Sequence, residues 1–271
     1  MPHFFLPNHF LEQKSDIYVE IRAMSTSALF DRYYFSRPDY VSGTARFHDL
    51  VRAFAPPKPF ILEVGAGPSN TTSDFLSSLG CVHGIDLDPA VKHNGALSSA
   101  MIFDGGRFPL ASGVFDLCVS NYVLEHVTNT KTHFGEVFRV LKPGGRFLFR
   151  TPNIWHYVTI CSRVLPHSFH LRLANRLRCI SEGHDPYPTK YRANSKKAIA
   201  RLASEVGLRI QELQMIEAEP SYGKSSPLLF FPMMAYERAV NRFQILSAFR
   251  ANILGALTKP TTARTLNRQR I

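Results

Sequence analysis

Two glycines in residues 61–69 stand where a chain could turn tightly around a bound ligand. Gly65 and Gly67 carry no Cβ, so the backbone there can approach a ligand closely. The helix predicted after them would direct free backbone N–H groups at the same ligand. A dinucleotide fingerprint would place a third glycine at position 70, which is Asn70. The segment therefore indicates a ligand-binding turn and disfavours a nicotinamide-dependent enzyme.

Two acidic residues follow the next two apolar runs and could bind the rest of such a ligand. Asp86 lies 21 residues after Gly65, and Asp104 closes the following run. A carboxylate at the first position can accept both hydroxyls of a ribose, and one at the second can accept an exocyclic amine. Ligands of open parallel sheets bind at the carboxyl ends of the strands, where both acids lie. Taken alone, either acid could instead be a helix N-cap or a turn residue.

The elements that must position these groups alternate along the chain. Short apolar runs predict strands at 60–64, 81–86, 100–104, 115–122 and 146–150, and helices are predicted at 40–54, 71–79, 90–98 and 131–141. This alternation is typical of βαβ units and of a parallel sheet buried on both faces. Because such crossovers are right-handed, we predict an α/β fold with a doubly wound, mostly parallel sheet.

Two further motifs follow the second acid along the chain: residues 115–126 and the Lys-Pro-Gly-Gly turn at 142–145. With them, residues 60–153 resemble a class I S-adenosylmethionine (SAM)-dependent methyltransferase of the type 11 group, with weaker similarity to about residue 218. The resemblance implies a Rossmann-like fold, with the glycine loop around the methionine part of SAM, Asp86 at the ribose and Asp104 near adenine. The cofactor-binding residues that it implies are Glu63, Gly65, Ala66, Gly67, Asp86, Leu87, Asp104, Gly105 and Asn121.

The chain departs from that family at two places. Ser69 occupies a position that often holds a third glycine, and no final antiparallel strand is evident after residue 218. Instead, residues 196–206 predict a helix with Ser195 as N-cap and Gly207 as C-cap. Residues 208–218 predict a strand, and residues 227–257 predict an apolar helical region with spaced arginines.

Methyl transfer from a sulfonium is an in-line displacement, so the protein mainly supplies proximity, alignment and a water-poor pocket. A base is needed only where the nucleophile still carries its proton. The candidate bases are His126, His156 and His184, and the candidate substrate contacts are Tyr157, Tyr187 and Tyr191. His126 could equally be a histidine that packs at a helix start. No histidine or cysteine cluster has metal-ligand spacing, so no metal is expected.

We predict three regions: an N-terminal helical cap (1–58), a SAM-binding domain (59–218) with a substrate lid at 154–190, and a C-terminal amphipathic helical region with a tail (219–271). The longest apolar run near the C-terminus has 12 residues, too short for a membrane span. The N-terminus does not read as a signal peptide, and four scattered cysteines suit a reducing compartment. These features favour a cytoplasmic protein.

The formal net charge of +11 is unevenly distributed. Residues 60–149 carry −2, residues 150–210 carry +8 and residues 227–271 carry +6. The excess therefore belongs to the parts expected to select the substrate, which favours methylation of an oxygen of a small, acidic molecule. A lipid-linked acceptor, with residues 227–257 lying on a membrane, stays open, as does a homo-oligomer. The alternative functions are a nucleic-acid or protein methyltransferase and a non-catalytic SAM-binding regulator.

Overall fold

The computed structural model describes residues 25–164, 188–221, 223 and 226–261, without the side chains of 162–164. The predicted site residues His184 and Tyr187, and most of the predicted lid, lie outside these ranges. The chain divides into two compact units. The sheet unit comprises Gly43–Ile160, Asp185–Ile216 and Ser247–Ile271, and the helical unit comprises Met1–Ser42, Cys161–His184 and Glu217–Leu246.

The sheet unit is built on one sheet with the strand order β3-β2-β1-β4-β5-β7-β6. Its strands are β1 (Phe60–Val64), β2 (Cys81–Asp86), β3 (Ser99–Ile102), β4 (Phe115–Asn121), β5 (Leu141–Pro152), β6 (Arg209–Ile216) and β7 (Asn252–Thr258). Strands β1 to β5 pair in parallel, whereas β7 runs antiparallel to both β5 and β6. The predicted α/β class with a doubly wound, mostly parallel sheet is confirmed.

Helices cover both faces of this sheet. Over the described residues of both units, the α-helices in chain order are α1 (Thr26–Phe30), α2 (Gly43–Phe54), α3 (Thr71–Leu79), α4 (Thr130–Val140), α5 (Tyr157–Val164), α6 (Lys196–Val206) and α7 (Pro227–Arg242). One face of the sheet packs against α4 and α6, through residues such as Phe134 and Ile199. The other face packs against α2 and α3, through residues such as Phe47 and Leu76. Because both faces are covered, the strands read as apolar runs.

Local capping explains where the helices begin and end. Ser195 accepts a hydrogen bond from the Ala198 N–H, and Gly207 ends α6 with a left-handed φ of 87°. Both caps were predicted, since serine is a preferred N-cap and glycine adopts positive φ without strain. The helix predicted at 90–98 was wrong. Pro89–His93 form only a short 3-10 helix that Asp88 caps, and it ends at Asn94.

The helical prediction for residues 227–257 was wrong in its last part. After α7 and a short 3-10 helix (Gln244–Phe249), residues 252–258 form β7. Its five central residues are all buried because β7 lies between β5 and β6 with both faces covered. A short apolar run of this kind carries no alternation to distinguish a strand from a helix. This strand is the antiparallel one that the sequence analysis did not find.

The helical unit packs around one aromatic side chain of α7. The buried Phe230 contacts Leu29, Phe30 and Tyr34, with its ring 5.1 Å from that of Phe30. The Tyr34 hydroxyl donates to Glu237 Oε2 at 2.9 Å, and burial raises the pKa of Tyr34 far above its usual value. Among the described helices, none combines the length and apolarity needed to cross a membrane.

Candidate active site

The glycine loop follows β1 directly, and both of its glycines are needed for the backbone path. Gly65 has a φ of 73° and Gly67 a φ of 54°, values that non-glycine residues rarely adopt. A Cβ on Gly65 would lie 2.3 Å from Val123 Cγ2. A Cβ on Gly67 would meet nothing nearer than Asp86 Oδ2, at 4.0 Å. The loop is therefore packed against Val123 at Gly65, whereas no side chain crowds the Cα of Gly67.

The side chain of Asn70 is hydrogen-bonded both to this loop and to the helix that follows it. Asn70 Nδ2 donates to the carbonyl oxygens of Ala66 (2.8 Å) and Pro68 (2.9 Å). Asn70 Oδ1 meanwhile accepts the N–H groups of Thr72 and Ser73, which caps α3. Asn70 thus fixes the loop and starts the helix at the position where a dinucleotide fingerprint would have its third glycine.

Glu63 lies buried beneath the loop. Its Oε2 accepts a hydrogen bond from Ser73 Oγ at 2.8 Å. The pKa of Glu63 is raised to about 7, mainly by burial and in smaller part by the nearby Asp86 and Asp74 carboxylates, while the Ser73 hydrogen bond opposes the shift. The side chain therefore changes its protonation state near neutral pH, which a solvated glutamate would not do.

Asp86 is the last residue of β2, and Asp104 lies two residues after the end of β3. Asp86 Oδ2 accepts the Gly67 N–H and Oδ1 accepts the Asp88 N–H, both at 2.8 Å. Each oxygen keeps a second lone pair, so the carboxylate can still accept two hydroxyl groups. Leu87 is 45% exposed, and a Cβ on Gly105 would lie 3.4 Å from its Cδ2. Asp104 accepts the Gly106 N–H at 2.9 Å.

This set of groups fits the parts of SAM. Carboxylates for hydroxyl and amino groups, an exposed leucine for a planar base and a glycine loop without side chains lie on consecutive strand ends. Asn121, predicted as a cofactor contact, has its side chain held by the protein. Its Nδ2 donates to Thr72 Oγ1 at 2.9 Å, and its Oδ1 accepts from Arg150 Nε at 2.8 Å.

The structure brings His126 and Tyr191 into neighbouring segments. His126 Nδ1 lies 3.4 Å from the carbonyl oxygen of Pro188. The Lys190 and Tyr191 N–H groups both donate to the Glu125 carbonyl oxygen, at 2.6 and 3.1 Å. Tyr191 has a φ of 50°, a strained value for a bulky residue. Residues 188–191 are thus docked on the segment that follows β4.

His156 and Tyr157 lie beside each other at the start of α5. Their rings are 4.2 Å apart, and His156 is buried.

Several buried polar residues here were missed by the sequence analysis. Thr151 Oγ1 donates to Glu125 Oε2 at 3.1 Å and accepts from Asn194 Nδ2 at 2.7 Å. Arg150 is buried and joins β5 to Asn121. The available signal was the run of polar residues that directly follows the apolar part of β5, since parallel strands end at the ligand-binding edge.

Comparison with known proteins gives a family match over part of the chain. Residues 62–149 match the family model described as a methyltransferase domain. An uncharacterized methyltransferase of a Mycobacterium species is 33% identical over 93 residues, which are 31% of this chain and 35% of that protein. A probable SAM-dependent methyltransferase of Mycolicibacterium smegmatis is 34% identical over 97 residues, 34% of this chain and 38% of that protein. The chain thus spans little more than a third of these relatives' length.

Solved structures show the same fold at low sequence identity. A geranyl diphosphate methyltransferase in complex with SAM has a TM-score of 0.52 and 16% identity, over 80% of this chain and 85% of that one. A phosphoethanolamine N-methyltransferase of Haemonchus contortus in complex with SAM has a TM-score of 0.51 and 19% identity, over 82% of this chain and 54% of that one. The cyclase SpnF reaches 0.52 at 15% identity, over 85% and 86%. The fold alone therefore does not fix a reaction. The match over residues 62–149, together with the glycine loop and the strand order, identifies this segment as a methyltransferase domain of the class I SAM-dependent type.

Proposed function

We propose that the protein is an enzyme that transfers a methyl group from SAM to an oxygen of a small, acidic molecule. The observation that supports the SAM site is the space beside the Gly67 Cα, where an added Cβ would meet only Asp86 Oδ2 at 4.0 Å, with the exposed Leu87 directly after Asp86. In this proposal the loop at Gly65, Ala66 and Gly67 holds the methionine part of SAM. Asp86 accepts the ribose hydroxyls, and Asp104 with Gly105 lies at the adenine.

Bound SAM would supply a methyl group on a sulfonium, already activated for displacement. The protein then has to align the acceptor and exclude water from it. We assign the proton-accepting role to His126. A carbonyl oxygen only accepts, so the contact between His126 Nδ1 and the Pro188 oxygen favours the tautomer with its proton on Nδ1. In that tautomer Nε2 is the basic nitrogen of the ring.

Positive charge near His126 supports an acidic acceptor. Lys190 and Arg192 are exposed and belong to the segment docked on Glu125. Arg192 also donates to the Thr128 carbonyl oxygen at 2.7 Å, which anchors its guanidinium next to the segment after β4. Exposed cations close to a site attract anionic substrates. Tyr157 and Tyr191 are the proposed acceptor contacts of this region, and His156 is the second candidate base.

The test uses the full chain with radiolabelled SAM and a panel of acceptors: small carboxylates, phosphate esters, acidic sugars, transfer RNA and a protein extract. We expect label only in small acids, and the His126→Gln variant should lose most of this transfer while it still binds SAM. Label in RNA or protein would contradict the proposal and favour a macromolecular methyltransferase. SAM binding without transfer to any class would favour a SAM-binding regulator.

A lipid-linked acceptor is the second candidate, and exposed apolar side chains after α7 favour it. Phe243 is 56% and Ile245 is 88% exposed, close in sequence to the exposed Arg238 and Arg242. Apolar residues among arginines are typical of segments that lie on anionic lipid. A truncation before α7 would remove β7, so the test compares the wild type with Phe243→Glu/Ile245→Glu in co-sedimentation with anionic liposomes. Equal partitioning of the two proteins would contradict membrane contact.

A further inference from the structure

Arg150 is a buried arginine on β5, at the edge of the sheet where the proposed site lies. It stands opposite Asn121, the last residue of β4, and only 5% of it is exposed. No role for Arg150 follows from the sequence alone. Besides the two contacts described next, its Nη1 donates to Thr44 Oγ1 at 3.3 Å, and its guanidinium carbon lies 5.5 Å from the Phe47 ring of α2.

The first contact is a hydrogen bond to Asn121. Arg150 Nε donates to Asn121 Oδ1 at 2.8 Å, and Asn121 Nδ2 donates in turn to Thr72 Oγ1 at 2.9 Å. Thr72 is in the first turn of α3, immediately after the glycine loop. A continuous hydrogen-bond chain therefore runs from β5 through β4 to the helix behind the loop. Hydrogen bonds from a charged donor are the strongest members of such chains.

The second contact is with Tyr122. The guanidinium carbon of Arg150 lies 4.4 Å from the centre of the Tyr122 ring, and the Tyr122 N–H donates to the Arg150 carbonyl oxygen at 2.9 Å. Tyr122 has a φ of 59°, which is unfavourable for an aromatic residue. Such a conformation persists only where its surroundings stabilise it. Arg150 thus contacts Asn121, the last residue of β4, and Tyr122, the residue directly after it.

We propose that Arg150 is a positioning residue for SAM binding, which acts through Asn121 on the helix turn behind the glycine loop. This inference rests on the proposed use of SAM. A lysine at this position would keep the charge but lose the planar donor set that reaches Asn121 while it stacks on Tyr122.

Arg146 offers a matched control on the same strand. It lies four residues earlier, opposite Leu117 and away from the strand ends. Its Nη1 donates to the Phe54 carbonyl oxygen at 2.6 Å, and its guanidinium carbon lies 5.9 Å from the Phe54 ring. Arg146→Lys therefore removes the same kind of contacts from the middle of β5.

The experiment measures the Kd for SAM, and separately for S-adenosylhomocysteine, by calorimetry on the full chain. We expect Arg150→Lys and Asn121→Ala each to weaken binding about tenfold, the effect of about one strong hydrogen bond. The double variant should bind within about twofold of Asn121→Ala alone, because residues that act through one another are not additive. Arg146→Lys should leave both affinities unchanged, and thermal unfolding without ligand should show comparable shifts for the two lysine variants.

Additive effects in the double variant, or an unchanged affinity of Arg150→Lys, would overturn the inference. If Arg150→Lys does not fold, Thr72→Val tests the same chain from its other end and should also weaken binding about tenfold. An unchanged affinity there would equally overturn it. A wild-type protein that binds no SAM would overturn the proposed function together with this inference, whereas binding with unaffected variants would overturn the inference alone.

Discussion

At the scale of single residues, burial decides the protonation of two side chains. Glu63 lies under the glycine loop and His133 faces the aromatic core of the sheet unit, near Phe108 and Phe147. Burial raises the pKa of Glu63 to about 7 and lowers that of His133 to about 4. In both cases the neutral form is favoured, because a buried charge loses its hydration. Each shift links stability to pH.

For Glu63 the native pKa is above the unfolded one, so its stabilising contribution is complete below about pH 4.5 and is lost as the pH rises through 7. Glu63→Gln stays neutral and can still accept the Ser73 hydrogen bond. We expect this variant to be more stable than the wild type by up to about 3 kcal/mol at pH 8 and by little at pH 4.5, measured by urea unfolding. We also expect it to bind SAM more weakly, since a site residue trades stability for function.

A stability gain of equal size at both pH values would contradict this account of Glu63. The Glu205→Gln variant, which makes the same replacement at an exposed position of α6, is the control.

For His133 the native pKa is below the unfolded value of about 6.5, so its contribution is present above that pH and is lost as the pH falls toward 4. His133→Leu removes the titration and keeps an apolar side chain in the core. We expect the wild type to lose about 3 kcal/mol relative to this variant between pH 7 and pH 4, measured by urea unfolding. The same replacement at the exposed His93 is the control, and a parallel pH dependence of the wild type and His133→Leu would refute the prediction.

At the scale of elements, the glycine loop needs Gly67 for two reasons: its backbone conformation and the space that it leaves for a ligand. Gly67 needs its positive φ, but a Cβ there would meet only Asp86 Oδ2 at 4.0 Å. We expect Gly67→Ala to cost about 1–2 kcal/mol of stability through backbone strain. We expect a loss of SAM affinity of tenfold or more, because the methyl group enters the space assigned to the ligand.

Gly207→Ala is the matched control for the loop. Gly207 has a φ of 87° at the end of α6, where its nearest neighbour is Phe138. It should lose similar stability in a thermal melt and keep its SAM affinity in calorimetry. If both alanine variants bound SAM equally well, the loop assignment would be wrong.

At the scale of the whole molecule, β7 completes the sheet by inserting between β5 and β6. Gly255 makes this insertion possible, since a Cβ there would lie 2.1 Å from Phe149 Cζ. We expect Gly255→Ala to destabilise the protein by about 1–3 kcal/mol through overpacking. Gly135→Ala in α4, where a Cβ meets nothing within 4 Å, should instead be neutral or stabilising by up to about 1 kcal/mol. Denaturant unfolding measures both, and equal effects would contradict the packing argument.

The amino-acid sequence by itself determined the strand–helix alternation, the glycine turn, the caps Ser195 and Gly207 and the acids at strand ends. Each of these depends on residue types within about one element, where turn chemistry and periodicity act locally. The tertiary structure decided that residues 252–258 form a strand, that Glu63 changes protonation near neutral pH and that Arg150 reaches Asn121. These features arise from burial and pairing between segments far apart in the chain, and local patterns carry no information about which segments meet.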